Sequence, residues 1–302
     1  MGGICLKKDS NTLEWRRLDN SAKIFPISAG KKYSTVFRLS AILKEDIDEK
    51  ILKGAVNKAL EKYKSFKVRM KQGFFWNYLE YNSKEPVVEK ERDYPCKYID
   101  PKTSNNYLFK VTYFEKKINI DIFHSLTDGN NGATFFKEII YNYIELSHPN
   151  EFVEELRTSR KVDFSIEDSY IKNYDKKSKG NSSTKKAYEL HGRKIKFGKI
   201  SAVHEFINLE QLKKICKEKD STITQYLTAV LIYSIYCENY KKNNGKKPIK
   251  VCIPINLKKY FPSNTISNFF SYMTLVIERE RLEKENFDEI LEFVKEDFAK
   301  RL

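Results

Sequence analysis

No stretch of this sequence stays apolar for the roughly 20 residues that a membrane-spanning helix requires, so no membrane span is expected. No Cys-x-x-Cys pair occurs, and the five cysteines (Cys5, Cys96, Cys216, Cys237 and Cys252) are scattered and odd in number. This is the pattern of idle thiols in a reducing compartment, with no zinc site, and makes the cytoplasm the expected location. Gly-rich phosphate loops of the G-x-G-x-x-G or G-x-x-x-x-G-K type are missing as well, which argues against dinucleotide and P-loop chemistry. The opening residues MGGICLKKDS carry no apolar signal segment. Gly2 followed by Cys5 touches on N-acylation, but Leu6 stands where that motif takes Ser or Thr.

What the sequence has in excess is positive charge, a formal +15 over 302 residues. The lysines are interleaved with Asp and Glu along the whole chain, and no helix-turn-helix, zinc or RNA-binding signature accompanies them. A solvated basic surface is therefore expected and a nucleic-acid partner is not. A phosphate-bearing small ligand would also suit the field. An apolar fraction of 40% with 14% aromatics supports a real core, and the length allows two lobes.

Strand-like and helix-like periods alternate along the chain. Residues 34–44 read as a strand, and 46–63 as an amphipathic helix on Ile47, Ile51, Ala55, Ala59 and Tyr63. Gly73 turns a hairpin within FKVRMKQGFFWNYLEYN, a polar loop surrounds Pro86 and Pro95, and residues 107–124 form a second hairpin turning at 115–117. A helix follows over 133–146. Polar residues dominate 157–190, the expected linker. Beyond it, GKISAVHEFI reads as a strand, two helices start at Asn208 and at Ser221 or Thr222, and two strands and a final helix complete a second lobe. The expected organisation is a first lobe over 1–156, a polar linker over 157–190 and a second lobe over 191–302, of α/β type with α+β layers.

One stretch, INIDIFHSLTDGNNG over residues 118–132, stands out. Ile118, Ile120 and Ile122 alternate with Asn119, Asp121 and Phe123, the period of a strand with one buried face. His124 is next on the buried parity, and the pattern then breaks into a loop. A histidine at the end of a core strand, with Asp128 four residues on and Gly129 permitting a tight backbone turn, is a candidate base. The histidines at 148, 191 and 204 have no such setting.

HSLTDG resembles the H-x-x-x-D-G signature of the chloramphenicol acetyltransferase-like superfamily, which holds condensation domains, plant BAHD acyltransferases and alcohol acetyltransferases. Phe123 stands where many members carry another histidine. WRRLDNSAKIFP, ALEKYKSFKVRMKQGFFWNYLE and IKVCIPINLKKYFPSNTISNFF resemble the entry segment, the stretch before the second strand pair, and the second-lobe strand and Asn-Phe loop of bacterial alcohol acetyltransferase-like proteins. These landmarks come in the family's order.

The resemblance implies two related lobes with a tunnel between them, and an acyl group passing directly from acyl-coenzyme A to an alcohol with His124 as general base. The family's aspartate pairs with an arginine rather than with the histidine; for Asp128 the candidates are Arg69 and Arg17. Asn268 and Ser271 fall in the loop and strand that approach the reacting centre in relatives, as structural residues of the tunnel or as oxyanion donors. No metal is implied. The family's further C-terminal strands are missing here, so the second lobe is expected to be incomplete. A condensation-type enzyme fed by a carrier protein, and a non-catalytic binding module of the same fold, are the competing expectations.

Overall fold

The alternating stretch before His124 does fold as a strand, an inner one. The computed structural model describes residues 15–151, 165–175, 185–193, 195, 200–283 and 286–301. The chain divides into one unit of residues 1–174, 197–200 and 258–269, and another of 175–196, 201–257 and 270–302. The segment 258–269, assigned to the second lobe from its sequence, thus belongs to the first unit. Gly2, Cys5 and half of the expected linker, 157–164 and 176–184, lie outside the described residues.

In the first unit the order is β1 (Trp15–Arg17), α1 (Phe25–Ser28), β2 (Val36–Ile42), α2 (Glu49–Lys62), β3 (Val68–Gln72), β4 (Asn77–Tyr81), β5 (Val88–Lys90), β6 (Phe109–Phe114), β7 (Lys117–Phe123), α3 (Gly129–Ser147) and α4 (Ser169–Lys172). A four-stranded sheet runs β2-β7-β6-β5, antiparallel except for the parallel pair β5-β6, and a three-stranded antiparallel sheet runs β1-β4-β3. β5 lies in what reads as a polar loop, because three edge residues are too few to show a period.

Helix α2 starts where Asp48 accepts bonds from the Lys50 and Ile51 amides, a cap worth about 1 kcal/mol. Its face of Leu52, Ala55, Val56, Ala59 and Leu60 joins Phe135, Ile139 and Tyr143 of α3 and Ile118, Ile120 and Ile122 of β7 in one apolar cluster. Gly132 sets the approach of α3 to the sheet. A Cβ there would lie 3.0 Å from both Ile122 Cδ1 and Phe37 Cζ. Gly132→Ala is therefore expected to lower stability by about 1–3 kcal/mol through overpacking. At Gly129, where nothing lies within 4 Å of a built Cβ, alanine is expected to be neutral or slightly stabilising. Denaturant unfolding of the two variants checks the contrast.

The other face of β7 departs from simple alternation: Asn119 and Asp121 are buried too. Arg38 reaches from β2 to grip the Asp121 carboxylate with two bonds of 2.9 and 2.6 Å, and also bonds Glu91. Burial alone would lower the guanidinium pKa, but the hydrogen bonds and charges of Asp121 and Glu91 outweigh it and raise it. Buried charges are tolerable when paired in this way.

The second unit contains α5 (Leu209–Glu218), α6 (Ile223–Ile235), β8 (Ile249–Asn256), β9 (Phe270–Ile277), α7 (Arg279–Leu282) and α8 (Phe287–Arg301). Strands β8 and β9 pair antiparallel, and α6 begins in a capping box between Thr222 and Gln225. Ile232, Leu275, Ile277, Leu291 and Val294 are central to its core. The strand expected over 198–207 does not form at 200–207. Those residues are exposed and belong to no regular element, since no described strand pairs with them. The architecture is α+β.

Candidate functional site

His124 follows the last residue of β7, and its backbone amide still bonds the sheet, donating to the Thr35 carbonyl at 2.9 Å. Thr35 adopts a left-handed backbone, φ 49°, a conformation that a β-branched residue holds only at a cost of about 1–3 kcal/mol. The imidazole stacks on Phe25 (centroids 4.5 Å apart) and meets the edge of Phe37 at 5.1 Å. It is partly exposed.

Imidazole Nδ1 lies 3.1 Å from Asn268 Oδ1. The orientation of that amide is fixed from its other end. Asn268 Nδ2 donates to Asp19 Oδ2 at 3.1 Å and to the His124 carbonyl at 3.0 Å. A flipped amide would set its oxygen against two other oxygens. Asn268 Oδ1 can only accept, so Nδ1 carries the proton and the neutral ring has its lone pair on Nε2. Asp19 is itself buried, and it also takes the Ala22 amide at 2.8 Å and the Asn268 amide at 3.1 Å. Burial pushes its carboxyl pKa upward, against the pull of those bonds and of the Arg16 charge. A buried carboxylate, an amide and an imidazole are thereby connected in series.

Asp128 performs a different task. One carboxylate oxygen caps α3 through the Asn131 amide (2.9 Å), and the other accepts from the Phe269 amide (3.3 Å). Neither arginine expected from the resemblance is there. Arg69 bonds Glu80 at 2.6 Å, and Arg17 lies exposed on β1. The cation that acts on Asp128 is Lys258, whose ammonium bonds Asn131 Oδ1 at 2.8 Å and the Thr265 carbonyl at 2.5 Å. Burial lowers the Lys258 pKa and the Asp128 charge raises it. Thr127 Oγ1 donates to the Ile266 carbonyl at 2.7 Å, and Asn131 Nδ2 to those of Ser267 (3.1 Å) and Thr265 (3.3 Å). The loop after β7 is thus a clamp on the segment that delivers Asn268.

Gly129 is the first residue of α3, with open space at its Cβ position; the expected tight turn does not need it, and the crowded glycine is Gly132. Both amide hydrogens of Asn268 are committed, so its geometry suits orientation of His124 rather than donation to an oxyanion. Ser271 is exposed on β9 of the second unit, opposite Ile255.

Sequence reasoning missed Asp19, Arg16, Asn131 and Lys258. Asn131 carried a signal, a polar residue on the helical phase of Phe135. Arg16, the neighbour of the arginine singled out, faces inward. Its Nη1 donates to Ser267 Oγ at 2.8 Å, while Nε is buried without a bond. Burial pulls its pKa down to about 10, against the opposing charge of Asp19.

A cavity of about 680 Å³ lies on the other face of the four-stranded sheet, lined by Arg38, Glu91 and Asp121 among others. Its buried charges are paired with one another, and His124 is not in its wall. Among the described residues no cluster of His, Cys, Asp and Glu suits a metal ion, and no helix is long and apolar enough to cross a membrane.

Residues 171–295 match the sequence model of the alcohol acetyltransferase family, a span that holds Asn268 and Ser271 but neither His124 nor Asp128. A search of the curated proteins finds no match. Among solved structures, polyketide synthase associated protein 5 from Mycobacterium tuberculosis is similar with a TM-score of 0.57 and 14% identity, over 94% of this chain and 73% of that one. The first condensation domain of the calcium-dependent antibiotic synthetase, with a substrate analogue, gives 0.58 and 13% over 96% and 75%. A variant of the starter condensation domain of rhizomide synthetase, in complex with C8-CoA, gives 0.57 and 9% over 94% and 72%. At such identities the likeness is one of fold. The chain is thus similar to the alcohol acetyltransferase family in sequence over residues 171–295, and to condensation domains in fold over nearly its whole length.

Proposed function

We propose that the protein transfers an acetyl or short acyl group from coenzyme A directly to an alcohol, with His124 as general base. The observation that carries this reading is the bond between His124 Nδ1 and Asn268 Oδ1, which presents Nε2 as the basic nitrogen. An alcohol is a poor nucleophile, and a positioned neutral imidazole can take its proton as the new bond forms. Nε2 accepts the hydroxyl proton while the oxygen attacks the thioester carbonyl. The tetrahedral oxyanion then collapses, the C–S bond breaks, and the imidazolium returns its proton to the leaving thiolate. The thioester is already activated, so no acyl-enzyme and none of the cysteines is required. The Asp19–Asn268 pair keeps the ring in the useful tautomer, as an amide does in Cys-His-Asn sites.

Coenzyme A as donor is supported by the C8-CoA complex of a neighbour and by the +15 charge of this chain. The likeness to condensation domains favours one second reading, an acyl group presented on the phosphopantetheine of a carrier protein. Incubation with acyl-coenzyme A donors and a panel of alcohols, amines and thiols, following free thiol, tests the proposal. Thiol release that depends on an alcohol is expected. Turnover with acyl-carrier protein alone would establish the second reading, and no release with either donor would reject both. If the basic surface aids donor binding, affinity for acyl-coenzyme A is expected to fall with salt, as surface charges are screened beyond about 8 Å at physiological ionic strength. Donors of dephospho-coenzyme A, lacking the 3′-phosphate, are expected to show a smaller salt slope; equal slopes would remove the cofactor from the explanation of the charge.

A further inference from the structure

We infer that the outer face of the β1-β4-β3 sheet and its hairpin tip form a docking surface for an anionic lipid bilayer. The four-residue turn Gly73–Trp76, closed by the Gly73 amide on the Trp76 carbonyl at 2.8 Å, projects three aromatic side chains. Phe74 is 94%, Phe75 81% and Trp76 58% exposed. Their rings rest on one another, with centroids 4.6 and 6.1 Å apart, so they make one apolar knob. No charged residue falls within 73–77.

Cations flank the knob. The strand registers set Trp15, Glu80 and Arg69 in one cross-strand row and Arg17, Tyr78 and Lys71 in the next, all on the same face. The opposite face carries Arg16, Leu79 and Met70 toward the core. The outer face thus has three cations against one acid, Glu80, which Arg69 holds at 2.6 Å and Lys71 faces at 3.7 Å. Arg17 and Arg69, the arginines that Asp128 does not use, belong to this surface. Trp15 is 53% exposed, against the edge of Tyr78.

Exposed aromatics clustered in this way mark an interaction site. A convex apolar tip ringed by cations matches the interface of an anionic bilayer, where rings enter the headgroup and acyl boundary and the cations meet the lipid phosphates. Tryptophan and tyrosine favour the headgroup level, and flanking Lys and Arg add attraction to anionic lipid. A second copy of this chain would bring like charge against like charge.

Trp15 and Trp76 are the two tryptophans of the chain, so tryptophan emission, excited where the tyrosines do not absorb, reports on this surface. The full chain is expected to sediment with phosphatidylserine-containing vesicles, with a blue shift of its emission, and to bind phosphatidylcholine vesicles weakly. Added salt should weaken the former. Replacing Phe74, Phe75 and Trp76 together by alanine is expected to cost about tenfold or more in vesicle affinity with an unchanged melting curve. Arg17→Gln and Lys71→Gln are each expected to cost roughly fivefold on anionic vesicles only. Absence of both sedimentation and blue shift overturns the inference. So does a dimer in solution that the tip variant abolishes, or salt-sensitive binding to acidic soluble proteins without binding to vesicles.

Discussion

His124→Ala is expected to lower turnover by about 10²- to 10⁴-fold, the usual worth of a positioned base, in a protein that still folds. The replacement leaves Asn268 Oδ1 without its donor and removes the stacking on Phe25. Because the ring is partly exposed, water can enter and take the place of the lost N–H, which keeps the stability loss to about 1–3 kcal/mol. Asn268→Ala is expected to give an intermediate loss, carried by kcat with KM little changed, since the base is present but its tautomer is no longer imposed. The double variant should be no slower than His124→Ala alone, because two residues that act as one unit are not additive. Acyl-transfer rates and thermal melts on the three proteins decide this. Wild-type turnover in His124→Ala would end the general-base assignment, and a fully additive double variant would end the orienting role of Asn268.

The parts of this structure that could be read in the sequence are those built from local periods. The strand at 118–123 and the helix face of Ile47, Ala55, Ala59 and Tyr63, all buried, follow from spacings of two and of three to four, and the caps at Asn208 and Thr222 are local chemistry; Leu52, Val56 and Leu60, which widen that face, did not stand out. What escaped depends on partners far along the chain. The polar side chains of Asn119 and Asp121 read as solvent-facing, because nothing nearby announces that Arg38 and Glu91 will meet them. Arg16 and Arg17 are adjacent, and a three-residue strand is too short for parity to say which faces inward. The expectation for 200–207 failed for the opposite reason: Val203 and Phe206 supply β-propensity, but a strand also needs an edge to pair with.

The site divides along the same line. His124 was visible as a break in a local pattern. The residues that give it a direction were not, since Asp19 precedes it by 105 positions and Asn268 follows it by 144. Their assembly depends on a third element, the 258–269 segment, which leaves the second half of the chain to join the first unit. The amide that orients the imidazole is therefore only as well placed as the clamp that holds its segment, and Asp128 is the charged member of that clamp.

Asp128→Asn is accordingly expected to cost about 2–5 kcal/mol of stability together with activity. The carboxylate accepts one bond from the Asn131 amide and another from the Phe269 amide. An asparagine can keep the helix cap, a role it fills well, but its NH2 then faces the Phe269 N–H, donor against donor; the reverse rotamer spoils the cap instead. Lys258 retains its bonds to Asn131 and Thr265 but loses the negative charge that offsets its burial. The melting temperature should fall by several degrees, at roughly 2–4 °C per kcal/mol for a unit of this size, and kcat should fall because Asn268 is less firmly held. Adding Lys258→Met to Asp128→Asn should then cost less than the sum of the two single changes, since the ammonium is no longer left without its counter-charge. Thermal melts and transfer rates of the single and double variants measure both effects. A variant Asp128→Asn that melts like wild type yet transfers no acyl group would mean that the carboxylate acts on the histidine, and the clamp would have to be abandoned as its role.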